Sequence, residues 1–235
     1  MAFFCIHPAV LAESPPSIEV GRFSNATAED ALPLHWEIFS FKGIQRHTIY
    51  RLVEENGMVV LKADADASAS GLMRKIRIDP KEYPIIQWRW KVANVLKKGN
   101  VYQKDGDDYP ARIYVVFEYD PSRLSFSERI QYKVAKKLYG EYPPSATINY
   151  IWASSAPKGL FVPNPYTERA MMVVIEIGEK HSGTWISERR NIYEDFLKSF
   201  NSEPPMISSV AIMTDTDNTG ESATAYYGNI LFSKE

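Results

Sequence analysis

The sequence predicts an all-β fold, an antiparallel jelly-roll β-sandwich with two inserted short helices. Three observations carry that expectation. About ten or eleven short runs of alternating or β-branched residues are separated by Gly, Pro, Asn and Asp, at the spacing of a sandwich. Glu55-Asn56-Gly57 stands between two such runs, and Asn-Gly there is the strongest short hairpin signal. Only two segments carry helical periodicity, and the chain opens with antiparallel strands instead of a βαβ unit.

In chain order, residues 1–17 read as an N-terminal leader or signal-peptide remnant. Val10-Leu11-Ala12 before Glu13-Ser14-Pro15-Pro16 is similar to a small-residue cleavage site, although a basic n-region is lacking and His7 and Pro8 break the apolar part. A frayed terminus is the other reading, and the cleavage-like pattern favours export to the periplasm or the cell exterior. Residues 18–235 read as one β-sandwich domain, without an internal repeat or a dividing linker. Ile18 to Phe23 is expected as a strand, Leu32 to Trp36 as a turn into another, and Thr48 to Glu54 and Met58 to Ala63 as the hairpin arms. Leu72 to Ile78 alternates, and Ile85 to Val92 shows a clear pleat. Ile86, Trp88, Trp90 and Val92 share one face, and Gln87, Arg89 and Lys91 the other. Ala111 to Tyr119, Thr147 to Ala153, Ala170 to Gly178, Ile207 to Met213 and Thr224 to Phe232 are further strands. The first helix is expected from Ser125 to Gly140, where Ser125 and Glu128 fit a capping box. The second is expected to be capped by Ser187, to carry Ile192, Phe196 and Phe200, and to stop before Pro204-Pro205.

Composition excludes several function classes. The formal net charge is −2 with both signs interspersed, so there is no electrostatic footprint for nucleic acid. One cysteine excludes an intramolecular disulfide and a cysteine-based zinc site. No run approaches the about 18 apolar residues of a transmembrane helix. The four histidines are scattered, and neither G-x-S-x-G nor H-E-x-x-H occurs.

Three groups remain as candidates. Thr214 to Glu221 is the densest set of oxygen ligands, and Asp215 and Asp217 suit a hard cation such as Ca²⁺. Asp-x-Asp-x-x-Gly opens as an EF-hand loop does, but the twelfth position is Tyr226 and strands flank it. The plainer reading is a hairpin loop whose Asp and Asn side chains bond local backbone. The second group is the polar row Gln87, Arg89 and Lys91, expected to be joined by Arg112, Tyr114, Asn149 and Glu176 from neighbouring strands. Arg takes carboxylate or phosphate through two N–H groups, so this face suits a carbohydrate or an anionic polymer. A row of Asp and Glu partners on an outer face is the alternative. The third group, Tyr150, Trp152, Asn164, Tyr166, Arg169 and Trp185, forms either sugar-stacking platforms or core. Ser187 to Asn191 is expected at a helix N-terminus, where Arg189 and Arg190 oppose the macrodipole and Glu188 or an anion would compensate. The expected ligand-binding set is therefore Arg89, Lys91, Asp107, Asp108, Arg112, Asn149, Glu188 and Asn191, with Asp215 and Asp217 reserved for a metal.

Several blocks together resemble a known family. They are Arg46-His47-Thr48-x-Tyr50, Ala67 to Leu72, Trp88-Arg89-Trp90-Lys91, Gly106 to Arg112, Asn164 to Thr167, Glu188-x-x-Asn191, Ile212 to Glu221 and Ala225 to Gly228. The chain is similar from about Val20 to Phe232 to the bacterial domain-of-unknown-function family 3047, and the resemblance implies an exported bacterial protein. It carries over no catalytic residue. The last strand pair is also similar to galactose-binding-like jelly rolls and carbohydrate-binding modules. The expected function is a carbohydrate- or anionic-polymer-binding module. The alternatives are a polysaccharide lyase or glycoside hydrolase using Asp107, Asp108, Arg112 and Glu188, and a structural envelope protein.

Overall fold

A computed structural model describes residues 16–123, 130 and 144–235. The expected leader lies outside these residues, except that Ser17 already pairs with Ser233. The first expected helix also falls outside them, apart from Ile130.

Two sheets enclose the main apolar core, a smaller apolar cluster gathers around Ile151, Met172 and Val174, and the β-sandwich expected from the sequence is what the chain forms. The first contains β1 (Ser17–Gly21), β3 (Ile49–Glu55), β4 (Met58–Asp66), β6 (Ile85–Val92), β11 (Ile186–Asn191) and β13 (Ser222–Ser233). Its order is β11-β6-β13-β4-β3, with β1 on β13. The second contains β2 (Glu37–Phe39), β5 (Gly71–Ile78), β7 (Arg112–Phe117), β8 (Ala146–Ala153), β9 (Phe161–Asn164), β10 (Thr167–Ile177) and β12 (Ile207–Met213). Its order is β2-β5-β12-β7-β8-β10-β9. The chain changes sheet repeatedly, at β4 to β5, β5 to β6, β6 to β7 and β12 to β13, as in a jelly roll.

Side-chain alternation assigns the faces. Ile86, Trp88, Trp90 and Val92 turn inward and are buried, as their spacing predicts. They meet the second sheet ring to ring. Trp88 stacks on Tyr150 at 5.1 Å, and Trp90 leans on Trp152 at 5.9 Å. Such pairs add about 0.5–1.5 kcal/mol each beyond the area they bury. The Asn56-Gly57 hairpin is present, with both residues at positive φ as the turn requires.

Four expectations are corrected. First, the sandwich is not wholly antiparallel, because β8 and β10 run parallel. Second, Ile207–Met213 and Ser222–Ser233 do not form a hairpin. Strand β12 pairs with β5 and β7, whereas β13 pairs with β1, β4 and β6, so the Asp215 loop crosses from one sheet to the other. Buried hydroxyls bolt that crossing: Tyr227 donates to Met213 O at 2.7 Å, Thr48 to Thr214 O at 2.7 Å and Thr214 to Pro110 O at 2.9 Å. Third, Ser187 to Asn191 is the edge strand β11, not a helix start. Helix α1 (Ile192–Phe200) begins after Asn191, whose side chain accepts from Glu194 N at 3.1 Å. Arg190, one residue before the N-cap, is compensated by Asp195 of the first turn and not by Glu188 or an anion. Together with the Tyr150 hydroxyl, it binds Asp195 of that helix. Fourth, β9 adds a short edge strand that tolerates Pro163 because edges spare an N–H.

Candidate functional site

The second sheet's outer face carries the candidate site, and alternation again explains why. Ile113, Val115 and Phe117 of β7 face the core, so Arg112 and Tyr114 point the other way. On β8, Tyr150 and Trp152 face inward and Asn149 outward. Two loops complete the site. The loop before β7 delivers Asp107 and Asp108. It turns at Gly106, where a Cβ would stand 2.7 Å from Asn100 Cβ and 2.8 Å from its backbone nitrogen. The crossing after β12 delivers Asp215 and Asp217.

Arg112 is the centre of the cluster and only 3% exposed. Its Nε donates to Asp215 Oδ1 at 2.9 Å, Nη2 pairs with Asp215 Oδ2, and Nη2 also reaches Asp107 O at 3.2 Å. The Tyr109 and Tyr114 rings lie 4.8 and 5.6 Å from the guanidinium carbon. Asp108 is fully buried and committed to the crossing loop, accepting from Thr219 N at 2.6 Å and Asn218 Nδ2 at 3.0 Å. Asp217 is held above the usual carboxylate range by burial, and next by the neighbouring Asp108 carboxylate.

Two acceptors in this cluster are left over. Asp107 Oδ2 accepts from Asn164 Nδ2 at 2.8 Å, but its Oδ1 is buried without a hydrogen-bond donor, 3.7 Å from Arg112 Nη1. Asn149, 1% exposed, also has a buried Oδ1 without a partner. Both residues line an open cavity of about 430 Å³, together with Arg112, Tyr114, Asn164, Tyr166, Asp215 and Asp217. Tyr166 (56% exposed) and Phe41 (43%) stand at the same cavity as exposed rings. The Tyr166 ring is fixed by its hydroxyl, 3.0 Å from Asn218 Oδ1 and 3.1 Å from Lys104 O.

Asp107, Asp108, Arg112, Asn149, Asp215 and Asp217 are thus brought together as a set. Arg89 and Lys91 are not among them, which corrects the single shared face. They lie on β6, on the outside of the other sheet, where Lys91 pairs with Glu55 and sits 4.2 Å from the Tyr226 ring. Glu176 is also elsewhere, buried and held by Lys158 and His181. Glu188 of β11 has Lys158, Glu176 and Arg190 as its charged neighbours and does not meet Asp107 or Arg112. Asn191 is spent on capping α1. The aromatic group divides: Tyr150 and Trp152 are core, Trp185 lies beside Arg89, and Asn164 and Tyr166 belong to the cavity. Phe41, Lys42 and Ile44 were not anticipated. The Phe-Lys-Gly sequence at 41–43, an aromatic beside a turn glycine, was the available signal.

For a metal, Asp108, Asp215 and Asp217 each offer one oxygen, all within 4.8 Å of one another. Asp215 is already neutralised by Arg112, and Asp108 by loop N–H groups, so an ion there would compete with donors in place.

No curated protein matches the chain in sequence. Among solved structures it is similar to a family 29 carbohydrate-binding module (TM-score 0.39, 8% identity, 94% of this chain and 90% of that one). It is also similar to the non-crystalline-cellulose-specific module CBM28 (0.39, 12%, 97% of each). The glycoside hydrolase domain of Endo-D from Streptococcus pneumoniae R6 matches at 0.35 and 10% identity, over 85% of this chain and 21% of that one, so the chain spans about a fifth of its length. At such scores the likeness does not reach individual binding residues. Residues 34–231 match the model described as Protein of unknown function (DUF3047), and the chain belongs to that family.

Proposed function

We propose that this β-sandwich is a carbohydrate-binding module that takes an uncharged, hydroxyl-rich stretch of a glycan in the cavity between Arg112 and Tyr166. The observation that carries the reading is the unmet buried acceptor Asn149 Oδ1, beside an Asp107 Oδ1 that has only its 3.7 Å ion pair with Arg112. A buried acceptor without a donor costs about 1–3 kcal/mol, which a ligand hydroxyl would recover. Sugars supply such donors in number, and the Tyr166 and Phe41 rings suit the apolar faces of pyranose rings. Anionic polymers fit this cavity less well, because Asp107, Asp215 and Asp217 face Arg112 and Lys42 there. The cleavage-like Val10 to Ala12 pattern supports an exported location, where glycans are met.

Isothermal titration against cello-, xylo- and galacto-oligosaccharides tests the reading. At least one should bind, and Asn149→Ala and Tyr166→Ala should each weaken it about tenfold with little change in melting temperature. If none binds at millimolar concentration, the reading fails.

One observation favours a second reading, glycoside hydrolysis. Asp217, raised by burial and by Asp108, shares the cavity with Asp107, and two carboxyl groups in one cavity are what acid–base cleavage requires. Turnover of a bound oligosaccharide, abolished in Asp217→Asn without loss of binding, would establish it.

A further inference from the structure

Arg89 stands on the opposite outer face of the sandwich, and its surroundings are built around it. A Cβ at residue 228 would stand 2.4 Å from Arg89 Cγ and 2.5 Å from its Nε, so only glycine leaves room for the side chain to cross β13. That glycine lies within the irregular stretch of the β13–β6 register, between Tyr227 and Ile230. Beyond it the guanidinium carbon rests 4.7 Å from the centre of the Trp185 ring, a stacking that fixes the plane of the group.

So fixed, the guanidinium has almost nothing to hold. Its one hydrogen-bond contact is Nη2 to Met58 Sδ at 3.5 Å, and no carboxylate of the described residues pairs with it. Lys91, two residues on, shows the contrast, for it is paired with Glu55. Arg89 opens instead onto a cavity of about 350 Å³ that Ser24 and Ser187 also line. Ser187 is its cross-strand partner. Ser24 Oγ accepts from Asn229 Nδ2 at 2.8 Å, which leaves its own proton free to donate. Donors from Arg89, Ser24 and Ser187 therefore line one space, and the acid that also lines it, Glu188, has Lys158 and Arg190 as its cationic neighbours.

We infer that Arg89, Ser24 and Ser187 form a second ligand site, separate from the Arg112 cavity, for a carboxylate-bearing ligand. A planar guanidinium with one edge open matches a carboxylate through two parallel N–H bonds, and the two hydroxyls add donors at its margin. The carboxylate can belong to a uronate residue of an acidic glycan or to a small organic acid, and the two are separable by experiment.

The test follows the Arg89 Nε–H resonance in ¹⁵N-labelled protein titrated with trigalacturonate, acetate, inorganic phosphate and the neutral trisaccharide cellotriose. Trigalacturonate is expected to shift that resonance saturably, with cellotriose silent. Arg89→Lys, followed by calorimetry, should weaken trigalacturonate about tenfold by losing the bidentate fork, and Arg89→Ala should abolish it. Trp185→Leu, which removes the stacking ring and leaves the charge, should also weaken it. Equal binding of acetate identifies the small acid as a sufficient ligand and still supports the site. Preference for phosphate, failure of both carboxylates at millimolar concentration, or undiminished binding by Arg89→Ala would each overturn the inference. Asn149→Ala serves as the control and should leave this site unchanged, so the two sites stand or fall separately.

Discussion

Arg112 and Asp215 are 103 residues apart in sequence and meet as a buried ion pair, guanidinium Nε 2.9 Å from carboxylate Oδ1. The pair links the first residue of β7 to the crossing between the sheets. The floor of the candidate cavity is therefore also a structural joint.

Breaking that joint from one side should be costly. Either Arg112→Met or Asp215→Asn leaves a buried charge uncompensated, and a loss of about 3–5 kcal/mol is expected. Urea denaturation would measure it. The double variant Arg112→Met with Asp215→Leu should recover only part of the loss, because it still leaves the buried Asp107 carboxylate without its cation. A single-variant loss below 1 kcal/mol would show that water already reaches the pair.

Glu188 makes the fold sensitive to pH near neutrality. Burial, opposed by Lys158 and reinforced by Glu176, pushes its carboxyl up to about 7. Because the folded value lies above the ordinary value of 4.5, the folded protein holds this proton more tightly than the unfolded chain. The associated stability is complete below about pH 4.5 and falls away as pH rises through about 7. Glu188→Gln should remove that slope and raise stability at pH 8, by on the order of 1–2 kcal/mol once partial exposure is allowed for. Thermal melts of both proteins from pH 4 to pH 8.5 would check it, and parallel curves would contradict it.

Calcium should have little effect on stability. Asp215 and Asp108 already accept from Arg112 and from loop N–H groups, so an ion gains little by displacing them. The melting temperature in excess EDTA and in millimolar calcium is expected to agree within about 1 °C. A rise of several degrees, lost in Asp217→Asn, would establish an ion held by Asp108, Asp215 and Asp217.

Much of the architecture was legible in the sequence because it rests on local rules. The pleat of Ile85 to Val92 gave β6 with its true bounds, and Asn56-Gly57 placed the first hairpin. Pairing across the fold was less accessible. Nothing local tells that β12 and β13 belong to different sheets, since a crossing loop and a hairpin loop draw on the same Asp, Asn and Gly. Strand β11 was hidden for a related reason. Ser187-Glu188-Arg189-Arg190 is polar on both sides, and a polar edge strand before a helix looks like its cap. The site followed the same division. The types of residue in Asp107, Arg112, Asn149 and Asp215 marked them as candidates, but which sheet each would face depended on topology. That is why Arg89 and Arg112, both outward-pointing cations on central strands, end on opposite surfaces of the molecule.

Strand β13 sits between β6 and β4, yet it is about 130 residues downstream of the one and about 155 downstream of the other. The first sheet therefore has a gap at its middle until residues 222–233 have left the ribosome. Until then the edges of β4 and β6 that β13 covers lack their partner. Long-range closure of this kind places the barrier late, and the Arg89 cavity, which Asn229 and Leu231 of β13 line, is complete only after it.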